Sequence, residues 1–224
     1  MKVLIIIPAY NEEESIEKVI NNLKQNYVII NDGSHDHTSE ICHKNKYKII
    51  DLPVNLGLTG AFQTGLKYAY KKGYDYAIQF DADGQHLPEY IPAMVDKIEE
   101  GYDMVIGSRF VEKPKPRSLR MLGSRVISTA IKITTGVHIA DPTSGMRLFN
   151  KTLIREFAEN INYEPEPDTV SFLIKQGVKV AEVQVEMKER EAGESYLNLS
   201  RSIVYMTKMF VSIIILQNFR NRKK

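Results

Sequence analysis

Two carboxylates one residue apart, Asp81 and Asp83, stand with the amide of Gln85 and the imidazole of His86 at the end of the apolar run Tyr76-Ala77-Ile78-Gln79-Phe80. Such a run reads as a buried strand, and in open α/β sheets ligands bind beyond the carboxyl ends of the strands. On extended backbone Asp81 and Asp83 fall on the same side, and two neighbouring anions repel unless a cation lies between them. A hard divalent metal with oxygen ligands answers that repulsion; Mg²⁺ in particular is usually held by one or two carboxylates plus substrate phosphates. Gln85 can add a neutral oxygen. The plainer alternative is that these acids only form a turn or cap a helix, because Pro88 and Glu89 look like a helix start.

Other apolar runs must position the rest of the site, and they end in the same way. Val3 to Ile7, β-branched and without alternation, suits a strand buried on both faces of a parallel sheet. It is followed by Pro8-Ala9-Tyr10-Asn11-Glu12-Glu13-Glu14, where Asn11 is expected to cap a helix whose apolar stripe is Ile16, Val19, Ile20 and Leu23. Capping does not account for Tyr10. Tyr27 to Ile30 ends in Asn31-Asp32-Gly33-Ser34, which is also a turn signal in its own right. Lys48 to Ile50 leads to Asn55-Leu56-Gly57-Leu58-Thr59-Gly60. Gly57, Gly60 and Gly65 flank or interrupt an amphipathic helix, which points to close backbone approach by a ligand or a strand. The spacing is not a dinucleotide fingerprint and no P-loop lysine follows. Met104 to Ile106 ends in Gly107-Ser108-Arg109.

Downstream, Pro114 and Pro116 mark a surface loop, and a helix is expected from about Arg117 to Thr135. On a helical wheel Leu119, Leu122, Val126, Ala130 and Ile133 share one face. Arg117, Arg125 and Lys132 lie opposite, with Arg120 at the edge; a solvated face is the ordinary role for such cations, and phosphate binding the sharper one. Asp141-Pro142-Thr143-Ser144-Gly145-Met146-Arg147 is a turn entering a short strand. Glu164, Glu166 and Asp168 precede a helix, Thr169 to Gln176, and Val178 to Val185 alternates as a half-exposed strand. Ser202 to Phe219 is strongly apolar and followed by Arg220, Arg222, Lys223 and Lys224. That segment is short for a membrane span and is expected to lie in a membrane interface, pack on its own domain or pair with a second copy.

With 224 residues, 43% of them hydrophobic and 26% charged, the chain has the means to build a sizeable α/β core. A net charge of +2 is too mild to imply nucleic acid. One cysteine, Cys42, excludes an internal disulfide framework and a multi-cysteine zinc site, and fits a reducing compartment. The first apolar run is too short for a signal peptide or a span.

Taken together, Pro8 to Glu13, Asn31 to Ser34, Asn55 to Gly57, Asp81 to His86, Gly107 to Arg109 and Asp141 to Arg147 resemble the family 2 glycosyltransferases, most of all the dolichol-phosphate mannose synthase and polyprenyl-phosphate glucosyltransferase branch. The resemblance runs from Met1 to about Tyr196. It implies an α/β fold of GT-A type, a Rossmann-like, mostly parallel sheet flanked by helices over residues 1–196, with a C-terminal amphipathic helix over residues 197–224. It implies inverting transfer from a UDP- or GDP-sugar to a polyprenyl phosphate or lipid-linked glycan, in cell-envelope or polysaccharide biosynthesis. Pro8, Tyr10, Glu12, Asp32, Gly57, Asp81 and Arg190 would bind the nucleotide-sugar, while Asp81, Asp83 and Gln85 would hold Mg²⁺ or Mn²⁺. Ser108, Arg109, Arg117, Arg125 and Arg147 would meet the acceptor, with Asp168 or Asp141 as a base. A cytoplasmic location, peripheral at the inner face of a membrane, and a homo-oligomer through the C-terminal helix are further expectations. The chain departs from branch members in reading Gly193-Glu194-Ser195-Tyr196 where many carry a lysine after G-x-S, and the multi-span membrane region that some relatives carry is not expected of it.

Two other classes remain open from the residues. A sugar-phosphate nucleotidyltransferase would open with a glycine-rich, lysine-containing loop, which Pro8 to Glu13 is not. A nucleotide-sugar-binding module without catalysis shares the fold and would be told apart by metal-dependent hydrolysis of a nucleotide-sugar.

Overall fold

The computed structural model describes residues 1–160, 165–188 and 199–218. β1 (Val3–Ala9) is the hub of a seven-stranded sheet, with β2 (Asn26–Asn31) and β4 (Tyr76–Gln79) parallel on either side. β3 (Ile49–Asp51) lies parallel beyond β2. On the other flank β6 (Arg147–Asn150) runs antiparallel between β4 and β5 (Met104–Ser108), and β7 (Val180–Gln184) closes the edge parallel to β5. The order is thus β3-β2-β1-β4-β6-β5-β7.

The unbroken apolar run of β1 is explained by cores on both faces. Leu4 to Ile7 are fully buried, and alternate side chains enter opposite layers because the strand period is two. Leu4 and Ile6 join a core that includes residues of α3 (Gly57–Lys71), α5 (Leu119–Thr135), α6 (Lys151–Glu159), α7 (Pro167–Lys175) and α8 (Leu199–Ile214). Ile5 and Ile7 join the layer of α1 (Ile16–Asn21), α2 (Thr38–Lys44) and α4 (Ile91–Glu99). The glycine inference holds at Gly65, where an added Cβ would lie 2.2 Å from Ile6 Cγ2, so α3 rests directly on β1.

Three sequence expectations are corrected. Asn11 is no helix cap: at φ 56° it is left-handed, its Oδ1 accepts from the His35 N–H at 2.9 Å and its own N–H donates to Ser34 Oγ at 3.0 Å. It ties the ends of β1 and β2 together, and α1 begins only after Ser15. Second, most of the expected apolar stripe of α5 does not face the core. Of that stripe Ala130 is buried, beside Met121, Ser124, Ile127, Ser128 and Ile131, whereas Leu122, Val126 and Ile133 are 54%, 41% and 73% exposed. Small residues let the helix lie close to its neighbour, since a Cβ on Gly123 would meet Met206 Cγ of α8 at 2.7 Å. Third, the sequence reading left out α6, an amphipathic helix capped by Asn150, whose side chain accepts from the Leu153 N–H.

α8 lies beyond the expected boundary at 196/197, yet Met209 and Ile213 belong to the same core as β1. No helix among the described residues is long and apolar enough to cross a membrane.

Candidate active site

From the end of β1 the chain turns through α1 to β2 on one side, and later returns through α3 to β4 on the other. The crevice where strand order diverges is where ligands bind in such sheets. Here it opens into a cleft of about 610 Å³. Tyr10, Asp32, Gly57 and Asp81 line it from the ends of β1, β2 and β4 and the start of α3; Arg147 and Gly145 come from the turn entering β6. Met121 and Ser124 of α5, Glu166 and α8's Tyr205 and Met206 close the far side.

The wall beneath Asp32 and Tyr10 is built by backbone turns. The Leu56 N–H donates to Asp32 Oδ1 at 2.7 Å, and Gly33, at φ +68°, packs so closely that a Cβ would be 2.8 Å from Asn55 N. Behind it, Asn31 Nδ2 and Ser39 Oγ donate to Asp51 Oδ1, and His43 lies 2.8 Å from Oδ2. Burial opposes the charged form of Asp51, but these hydrogen bonds outweigh it and its pKa is lowered. Tyr10 is 42% exposed and meets His35 edge-on. Pro8 lies within β1 and is not a lining residue. The Glu12 N–H donates to Thr38 Oγ1, while its carboxylate accepts from Ser15 Oγ at 2.6 Å, so Glu12 secures the loop rather than the cleft.

β4 ends at Gln79, Asp81 follows just beyond it, and Asp83 lies in a turn that Gly84 reverses at φ +78°, so the two acids do not share one extended strand as expected. Asp81 faces the large cleft, whereas Asp83 lines a second cavity of about 230 Å³ beside Lys18, Pro88 and Lys188. Asp83 Oδ1 accepts from the Gln85 N–H and Oδ2 from Gln85 Nε2 at 2.9 Å. Asp81 is held by a device the sequence did not reveal. Its N–H donates to His86 Nδ1 at 2.9 Å, so the ring proton of a neutral imidazole sits on Nε2, 3.5 Å from Asp81 Oδ2. Gly145 leaves room beside the carboxylate, because a Cβ there would lie 3.0 Å from Oδ2.

Among the described residues no three His, Cys, Asp or Glu side chains form a self-contained metal cage. By type, the two carboxylates and the amide are hard oxygen donors of the kind that Mg²⁺ shares with phosphates, but here Asp81 and Asp83 line different cavities and Gln85 Nε2 is turned to Asp83, so they are not gathered around one point.

The two candidate bases are engaged elsewhere. Asp141 is fully buried in a bidentate pair with Arg109, at 2.7 and 2.9 Å, and also accepts from Thr143 Oγ1. Asp168 Oδ2 accepts from Ser212 Oγ at 2.7 Å and Gln217 Nε2 at 3.0 Å, fastening α7 to α8. Neither lines the cleft; Glu166, two residues before Asp168, does, and it accepts a hydrogen bond from the Tyr205 hydroxyl. Burial and that carboxylate push the Tyr205 phenol up.

Of the five expected acceptor residues, Arg147 alone lines the cleft. It is 3% exposed, and burial lowers its pKa against the pull of Glu166 and other neighbours. Ser108 is fully buried and accepts from the Phe110 N–H, and Arg109 is paired with Asp141. Arg125 donates to the Lys115 and Pro116 carbonyls, so it fastens the surface loop to α5, and Arg117 is exposed outside the cleft. Lys115, unremarked in the sequence, donates to Ser124 and Ser128; burial lowers its pKa. Arg190 lies outside the described residues. The segment leading to it pairs with the acidic turn, Met187 bridging His86 and the Lys188 N–H donating to the Gln85 carbonyl at 3.0 Å.

The model of the family described as "Glycosyl transferase family 2" matches residues 4–157. The chain is 32% identical to the UDP-N-acetylglucosamine–dolichyl-phosphate N-acetylglucosaminyltransferase of Methanococcus voltae, over 82% of this chain and 84% of that one. It is 29% identical to the undecaprenyl-phosphate mannosyltransferase of Micrococcus luteus, over 93% of each. Among solved structures, glucosyl-3-phosphoglycerate synthase of Mycobacterium tuberculosis, in complex with Mn²⁺, UDP-glucose and phosphoglyceric acid, superposes with a TM-score of 0.71 over 99% of this chain and 81% of that one. At 16% identity that likeness shows the fold.

Proposed function

The chain belongs to glycosyl transferase family 2 and is a transferase, and on that footing we propose that it moves a sugar from a nucleotide-diphosphate sugar, a UDP-sugar in the first instance, to a polyprenyl phosphate. The observation that carries the proposal is the cleft itself, with Asp32 and Tyr10 at one end, Asp81 in the middle and buried Arg147 at the other. An anionic donor and an anionic acceptor need such a distribution. A base and ribose can be held against Asp32 and Tyr10, and Arg147 supplies positive potential where the phosphates converge.

In the proposed reaction a phosphate oxygen of the acceptor bonds to the anomeric carbon, and the bond from that carbon to the diphosphate breaks with its electron pair leaving on the diphosphate. Asp81, Asp83 and Gln85 would hold Mg²⁺ or Mn²⁺. When bound, such a cation supplies Lewis-acid stabilisation of the leaving diphosphate. His86 keeps Asp81 oriented for that purpose. A phosphate acceptor is largely ionised near neutral pH, its second pKa being about 6 by analogy with phosphoamino acids, so little general-base help is required. Asp141 and Asp168 are engaged in structural bonds away from the cleft, and Glu166, which does line it, is engaged with the Tyr205 hydroxyl; these engagements support a phosphate acceptor over a sugar hydroxyl, which would call on a positioned carboxylate.

Peripheral contact with a membrane forms part of the proposal. Leu122, Val126 and Ile133 of α5, with Phe210 and Ile215 beyond them in sequence, expose apolar surface, and Lys132 and Lys208 are exposed on the same two helical segments. Apolar side chains with basic neighbours suit the surface of an anionic bilayer, on the cytoplasmic side where the nucleotide-sugar is available. The donor is tested by a thermal-shift panel of UDP-glucose, UDP-N-acetylglucosamine and GDP-mannose with and without Mn²⁺. A ligand of the native state raises the midpoint by mass action, so the donor is expected to stand out, and only with metal. A panel with no shift for any nucleotide-sugar contradicts the proposal.

A further inference from the structure

β4 ends in one buried polar side chain, Gln79, which in sequence stands between the apolar Ile78 and Phe80. It is 2% exposed, lines the cleft beside Asp81, and its amide oxygen has no hydrogen-bond partner among the described residues. Its cross-strand register partner is Arg147, the nearest obvious donor in the sheet. Arg147 is committed elsewhere, with Nε donating to the Ser144 carbonyl at 3.0 Å and Nη2 to the Pro142 carbonyl at 2.9 Å. A buried, unpartnered amide oxygen lowers stability, and a leucine of similar size would avoid that cost in a strand built from apolar residues. Keeping a polar group there makes physical sense when a ligand supplies the missing hydrogen.

The chemistry of that ligand is restricted. Placed as it is, this carbonyl-type oxygen accepts from O–H or N–H and repels phosphate or carboxylate; a phosphate partner would require the amide to turn its Nε2 toward the cleft. We infer that Gln79 reads a hydroxyl group of the nucleotide-sugar, accepting its hydrogen at the floor of the cleft. The inference rests on the transferase proposal and deepens it by naming a residue that selects the donor. Two parts of the donor bear hydroxyls, the ribose and the transferred sugar, and both lie within the chemistry described.

The test is calorimetric binding of UDP, UDP-glucose and UDP-N-acetylglucosamine, each with Mn²⁺, to the full chain and to Gln79→Leu, together with a melt of each protein without ligand. The unliganded variant is expected to melt at or above the midpoint of the natural protein, since an unpaired polar group is gone. Its affinity for the nucleotide-sugar is expected to fall by about 10-fold, the size of one well-placed hydrogen bond. Loss for the nucleotide-sugar with UDP affinity kept places the hydroxyl on the sugar, and equal loss for both places it on the ribose. Unchanged affinity for all three probes overturns the inference while leaving the transferase proposal standing; should the natural protein bind none of them, the same pair is compared with GDP and GDP-mannose, and no binding of these either overturns both. Should Gln79→Leu fail to fold, single-position deoxy analogues of the bound donor on the natural protein decide the matter: one position must cost about 10-fold, and uniform binding of all analogues contradicts a hydroxyl-reading role.

Discussion

Asp81 and Asp83 divide the work of one short turn, Asp81 facing the cleft and Asp83 gripped by Gln85 on the other side. Replacing Asp83 by Ala is predicted to abolish turnover while the fold survives, because Asp83 stands past the end of β4, outside the apolar layers. Circular dichroism and a transfer assay check the two halves; full activity at low Mg²⁺ in the mutant would remove Asp83 from the metal site. Asp32→Ala is predicted to weaken nucleotide binding by about 1.5 to 3 kcal/mol, the range for hydrogen bonds to charged groups, with the loss appearing in KM before kcat. Part of that cost is the freed Leu56 N–H, so an unchanged KM would place the nucleotide base elsewhere. At this scale the sequence was informative where position at a strand end and residue type coincide, as at Asp81 and Asp32, which both line the cleft. It was silent where a role depends on which neighbour a side chain meets. Asp141 and Arg109 were both marked for chemistry, and they instead satisfy each other. Gln79, by contrast, was marked by nothing except its polarity within an apolar run.

The elements were legible in proportion to how far their pattern is local. A β-branched run without alternation identified β1 as doubly buried, and Gly65 forecast a close approach that its distance from Ile6 bears out. Gly65→Ala is therefore predicted to lower stability by roughly 1 to 3 kcal/mol, the cost of overpacking, measurable as a drop of several degrees in the melting midpoint. A midpoint at or above that of the natural protein would mean that α3 can move off β1 without cost. α5 shows the opposite case. Its helical wheel grouped Leu122, Val126, Ala130 and Ile133, of which only Ala130 is buried, because a wheel cannot say which face meets the protein. Gly123 and the small serines decide that, by letting α8 approach through Met206.

For the whole molecule, α8 is both part of the core and a wall of the cleft, through Met209 and Ile213 on one hand and Tyr205 and Met206 on the other. Any surface that α5 and α8 dock against therefore lies close to the site. The double substitution Leu122→Asp and Ile133→Asp is predicted to reduce sedimentation with anionic vesicles to background while the melting midpoint stays within a few degrees, because both residues are exposed. Unaltered sedimentation would exclude this face as the membrane contact, and a shift to monomer in light scattering would mark it as an interface between copies of the chain.

Transfer to a lipid phosphate is read by following labelled sugar from UDP-glucose, UDP-N-acetylglucosamine or GDP-mannose into solvent-extractable lipid when undecaprenyl phosphate is the acceptor. Label is expected in the lipid phase with one of these donors, in the presence of Mn²⁺ or Mg²⁺, abolished by a chelator and by Asp83→Ala, and nearly unaffected by Asp168→Asn. No label in the lipid with any of the three donors, full transfer under chelation, or a collapse of kcat in Asp168→Asn with donor binding kept, would refute it.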